Sequence, residues 1–114
     1  MPMIDMPHQD DFPLGALNML VLRVLRTGRL HGYAIAQRIR HLSDEVLQVE
    51  EGSLYPALQR MLLKGWVTAE WGTSESGRRV RFYRLTSLGR RQLEERAAHH
   101  DRVTTAIQAV LRTA

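Results

Sequence analysis

The sequence contains no cysteine. That excludes a disulfide framework, a thiol nucleophile and a thiolate metal site. It also lacks a long hydrophobic run: the apolar stretch at residues 19–22 is far too short to cross a bilayer. The amino end, MPMIDMPHQDDFP, is acidic, with neither a basic n-region nor an apolar h-region. No secretory signal is expected there, and the cytoplasm is the simplest location. Internal repeats and low-complexity tracts are missing too. No paired carboxylates, glycine-rich phosphate loop or nucleophile–base spacing stands out, so neither an enzyme nor a cofactor is expected. The histidines are scattered and lack a nearby set of carboxylates, so no metal site is expected either.

What is present fits one domain. The 114 residues allow a modest core, and 44% hydrophobic content argues against wholesale disorder. The formal charge of +4 is mild, but its distribution is uneven. Between residues 64 and 91 stand seven positive side chains against two acids, Glu70 and Glu75. A patch of that kind suits a polyanion.

The hydrophobic periodicity orders the chain. Residues 1–12 read as a tail, and Pro13 marks an entry. A buried first helix is expected over 14–25, from the stripe Leu14, Leu17, Val21, Val24 and Leu25, widened by Met19, Leu20 and Leu22. Gly28 sits in the following turn. A second helix is expected from about His31 or Gly32 to Leu42, with Ala34, Ile35, Ile39 and Leu42 inward and His31 capping or packing. A third is expected over 54–64, with Ser53 as its cap, Pro56 in its first turn and Gly65 as its stop. Its buried face is Leu54, Leu58, Met61 and Leu62; Tyr55, Gln59 and Arg60 point elsewhere.

After Trp66 the period changes to two. Val67, Ala69 and Trp71 alternate, residues 73–77 (TSESG) form a turn, and Val80 and Phe82 alternate with Arg79, Arg81 and Tyr83. Tyr83 and Leu85 share parity with the arginines, a conflict that alternation alone leaves open. Thr86 can cap a last helix reaching about Leu111. Along it Leu93, Ala97, His100, Val103 or Thr104, Ile107 and Val110 or Leu111 recur at three- and four-residue steps. About 25 residues span roughly 37 Å, more than a small headpiece covers, so the stripe predicts a partner, most simply a second copy. The fold class expected is mainly α with a two-stranded β wing: a winged helix-turn-helix over 13–85 and a dimerisation helix over 86–114.

Three stretches carry a family resemblance: LHGYAIAQRI at 30–39, VEEGSLYPALQRMLLKGWV at 49–67 and EWGTSESGRRVRFYRLTSLGRRQL at 70–93. The chain resembles the PadR family of bacterial transcriptional regulators, in the compact form with a single C-terminal helix. The likeness runs from about residue 14 to 111. It implies a homodimer that binds a pseudo-palindromic operator in double-stranded DNA, most often as a repressor, with release by a small-molecule effector near the dimer interface.

Candidate residues follow. For DNA binding they are Ser53, Tyr55, Gln59, Arg60 and Lys64 on the third helix, and Arg78, Arg79 and Arg81 on a wing at 72–80. A helix N-terminus and a hydroxyl suit phosphate, glutamine can read an adenine edge, and the planar guanidinium gives directed donors. For dimerisation they are Leu17, Val21, Leu93, Ala97, His100, Val103, Thr104, Ile107, Val110 and Leu111. For an effector they are Met19, Tyr33, Trp71, His99 and His100. Some relatives that bind flat aromatic compounds carry tryptophan at about the position of His100. Histidine lacks that stacking surface and suits a polar or anionic effector, or a response to pH. Adjacent histidines on a helix are not expected to face the same direction. The competing readings are a winged-helix protein-interaction module without direct DNA binding, and a DNA-binding activator or architectural protein.

Overall fold

A computed structural model describes residues 15–113. The tail expected at 1–12, Pro13 and Leu14 lie outside the described residues. Helix α1 (Ala16–Val24) runs into a 3-10 turn (Leu25–Thr27), strand β1 (Leu30–His31) and helix α2 (Gly32–Leu42). Helix α3 (Glu51–Leu63), strands β2 (Val67–Thr73) and β3 (Arg79–Leu85) and helix α4 (Ser87–Thr113) complete the chain. The sheet is antiparallel in the order β1-β3-β2, so the expected two-stranded wing gains a third strand. That strand is two residues long, too short to show alternation in the sequence.

The core is the meeting of α1, α2 and α3 with the inner end of the sheet. Val21, Leu22, Ile35, Leu54, Ala57, Leu58 and Met61 are almost fully enclosed, and Val67, Tyr83 and Leu93 join them. Register explains the mixed parity of β3. Val67 lies opposite Leu85 and Ala69 opposite Tyr83, so these four share the face that the helices cover. Trp71 opposite Arg81 and Thr73 opposite Arg79 continue that same face outward. One face is therefore apolar where helices cover it and aromatic-basic where they do not. Val80 and Phe82 occupy the other face and are half-buried.

Caps fix the helix starts. His31 has extended backbone, and its Nδ1 accepts from the Ala34 N–H at 3.4 Å. Thr86 Oγ1 accepts from the Gly89 N–H at 3.0 Å, as its position before α4 predicts. The same hydroxyl reaches the carbonyl oxygens of Gly65 at 2.7 Å and Trp66 at 3.0 Å, which ties α4 to the corner where α3 turns into β2. Gly89 permits that approach, since a Cβ there would stand 2.1 Å from the Trp66 carbonyl oxygen. Helix α3 begins earlier than expected. Glu50 occupies the extended cap position, Glu51 opens the first turn, and Ser53 lies inside the helix instead of capping it. A carboxylate near the free amides favours that start. Pro56 consequently falls in the second turn, where the Gly52 carbonyl loses its usual amide partner.

Candidate nucleic-acid interface

Helix α3 is two-sided by sequence. Leu54, Ala57, Leu58 and Met61 are buried, and this turns Tyr55, Gln59 and Arg60 to the surface. Ser53 is half-buried at the same end. Tyr55 lies across the first turn of α2: a Cβ on Gly32 would meet its hydroxyl at 2.5 Å and its ring at 2.8 Å. Glycine at position 32 is therefore what seats this ring. Burial, then the nearby Glu51 and Tyr83, push the Tyr55 phenol up from its ordinary value. It stays an O–H donor at neutral pH.

The outer half of the hairpin faces that tyrosine. Its turn is closed by the Ser74 N–H donating to the Arg78 carbonyl at 2.8 Å and the Gly77 N–H donating to the Ser74 carbonyl at 2.9 Å. Gly77 has φ +85, a backbone that suits glycine. The Arg78 amide donates to Ser74 Oγ at 3.2 Å. Behind this turn Trp71 carries two guanidiniums over its indole, Arg79 at 4.9 Å and Arg81 at 6.0 Å from the ring centre. Among the described residues neither arginine has an ion-pair partner.

An open cleft of about 1060 Å³ separates this surface from α2 and α3. Tyr33, Tyr55, Trp71, Arg78, Arg79 and Arg81 all border it. The remaining DNA-contact candidates do not. Gln59 and Arg60 are exposed further along α3, and the Lys64 ammonium lies 4.9 Å over the ring of Trp66 at the far end. Trp66 is buried and receives Arg96 of α4 at the same distance, so Lys64 belongs to the α3–α4 corner.

A second groove of about 390 Å³ lies between α1 and α4, bordered by Met19, Gln92, Glu95, Arg96, His99, His100 and Val103. Both histidines reach its edge. His100 Nε2 is also 3.5 Å from Thr104 Oγ1. The five effector candidates thus separate: Met19, His99 and His100 border this groove, whereas Tyr33 and Trp71 belong to the wing cleft.

The dimerisation candidates divide as well. Val21 and Leu93 are buried in the subunit's own core and Leu17 packs against it, so these three are occupied within the chain. Ala97 and His100 are exposed and Thr104 is half-buried. Val103, Ile107, Val110 and Leu111 are 42%, 53%, 61% and 74% exposed, an apolar stripe that the described residues leave open along the outer half of α4.

The chain matches a family model described as the transcriptional regulator PadR-like family over residues 21–95. An uncharacterised protein of Lysinibacillus sphaericus is 32% identical over 87 residues, covering 76% of this chain and 80% of its own length. A PadR family transcriptional regulator from Eggerthella lenta is 32% identical, with a TM-score of 0.72 over 88% of this chain and 85% of that one. A Bacillus subtilis PadR in complex with operator DNA is similar in fold, with a TM-score of 0.64 at 24% identity over 74% of this chain and 47% of that one.

Proposed function

This chain belongs to the PadR-like family of transcriptional regulators, and from that membership we propose that it is a homodimeric repressor that acts in the cytoplasm on a pseudo-palindromic DNA operator. The observation that carries the reading is the wing cleft, where Arg79 and Arg81, with no ion-pair partner among the described residues, stand beside the exposed, hydroxyl-bearing start of α3. The operator complex of the Bacillus subtilis relative supports it. Arg78, Arg79 and Arg81 bind the DNA backbone, Tyr55 donates to a phosphate, and Gln59 reads a base edge. Ser53 and Arg60 contribute phosphate contacts. Lys64 acts more weakly, because it stands at the far end of α3, outside the wing cleft.

Two copies pair through the outer half of α4, where Val103, Ile107, Val110 and Leu111 are left exposed by the described residues of their own subunit. The helix has 27 residues, and at about 1.5 Å per residue it is long enough to hold two headpieces apart. The groove that contains Met19, His99 and His100 adjoins this stripe, so a polar or anionic effector seated there would change the spacing of the headpieces and release the DNA. The function is transcriptional control, with no catalytic step.

Selection of bound fragments from genomic DNA by the purified protein, at several salt concentrations, tests the reading. The expected result is two related half-sites about one helical turn apart and an affinity that falls steeply with salt. Absence of salt-dependent binding to any fragment would sink it.

A further inference from the structure

We infer that Trp71 is a positioning residue for DNA binding: its indole holds the Arg79 and Arg81 guanidiniums in the place where they meet the DNA backbone. The inference rests on the DNA-binding reading above and deepens it. Trp71 is 59% exposed, an unusual place for the largest apolar side chain. It lies on the face of β2 that continues outward from Val67 and Ala69, beyond the reach of the helices that cover those two. Core packing therefore does not account for it. Its register does: directly opposite is Arg81, and two residues along the same face is Arg79. Both guanidiniums rest on the one ring.

Arginine side chains have many rotamers, and a DNA contact made by a free one costs the ordering of the whole chain. A guanidinium already held over an aromatic face has lost much of that freedom before DNA arrives. A carboxylate would also hold it, but would cancel the charge. An indole holds it and leaves the charge available. In the cleft the two arginines face Tyr55, the residue of α3 that shares this space. The clamp thereby fixes the wing's charges relative to the recognition helix.

A double-mutant cycle measured as operator affinity against salt tests this. Trp71→Leu keeps an apolar residue suited to a strand but removes the π face; Trp71→Phe keeps a smaller π face. Trp71→Leu is expected to weaken binding about fivefold, with Trp71→Phe restoring most of that loss. The salt slope should stay that of the wild type, because the same charges still displace counterions. In an Arg79→Ala/Arg81→Ala background the Trp71→Leu change should have no further effect. Full additivity there, or equal loss with leucine and phenylalanine, would overturn the clamp while leaving DNA binding intact. Wild-type affinity in Trp71→Leu would do the same. A wild-type protein that binds no DNA would remove both readings at once. Since Trp71 lies outside the core, all variants are expected to melt within a few degrees of the wild type.

Discussion

The two faces of the hairpin carry the same residue types and do different things with them. On one face Glu70 stands between two guanidiniums, pairing with Arg29 and, at 3.6 Å, with Arg84. Arg29 also lies 4.1 Å over Phe82, and His31 meets that ring edge-on at 5.7 Å. On the other face Arg79 and Arg81 lie on Trp71, with no carboxylate paired to either among the described residues. The first arrangement uses charge to join β1 to the hairpin. The second leaves both of its charges without an ion-pair partner among the described residues. Counting arginines along the sequence treats both sets alike, and only the pairing distinguishes a structural cation from one free to meet phosphate.

The strongest way to break this distinction is to remove the free pair. Arg79→Ala/Arg81→Ala should weaken operator binding by roughly ten- to a hundredfold and lower the salt slope by about two, one unit for each phosphate that an arginine no longer neutralises. Arg84→Ala, which removes a cation that shares the Glu70 carboxylate with Arg29, should change the slope by much less. Fluorescence anisotropy titrations across a salt series measure both. Equal effects from the two faces would show that the ion pairs do not divide the arginines into separate roles.

Stability should show the reverse order. Phe82 is half-buried, touches Arg29 and His31, and lies so close to Gly72 that a Cβ there would stand 2.8 Å from its ring. Phe82→Ala should therefore cost about 2–3 kcal/mol, somewhat below the cost for a fully enclosed ring. Trp71→Ala, on the open face, should cost about 1 kcal/mol or less. Chemical denaturation of the two variants gives the comparison directly, and a larger loss for Trp71 would mean that its face is packed after all.

How much of this is legible in the sequence depends on the length scale of each signal. Thr86 and His31 announce their helices because a cap is a local event, and the hairpin announces itself through alternation around TSESG. The start of α3 is harder to place, because two kinds of start compete within four residues. The Ser53 hydroxyl points to one and the Glu50–Glu51 carboxylates to the other, and the acidic pair prevails. Strand β1 has two residues and no period to detect. The conflict in β3, with Tyr83 and Leu85 on the parity of the arginines, depends on where the helices stop covering the sheet. No window on one strand contains that distance. For the same reason the family resemblance, which implies an effector near the dimer interface, groups Trp71 and Tyr33 with Met19 and the histidines as effector candidates. Their place beside the wing arginines depends on how α2 sits against the hairpin.

The finest test of the two faces is Glu70→Gln. It keeps the size of the side chain and removes the carboxylate that Arg29 and Arg84 share. Both partners are about half exposed, so the stability change should be within about 1 kcal/mol, as for surface pairs in general. The freed charge raises the positive potential of the hairpin by one unit. If the Glu70 face points away from DNA, that charge acts only through solvent over a distance comparable to the screening length, about 10 Å at 0.1 M salt. Affinity should then rise about twofold at low salt, and the gain should vanish as salt increases, with the slope barely changed. A tenfold gain, or a slope steeper by a full unit, would mean that Arg29 or Arg84 reaches a phosphate once released. In that case Glu70 would be a restraint on DNA binding instead of a tie within the sheet, and the two faces would differ in their pairing alone.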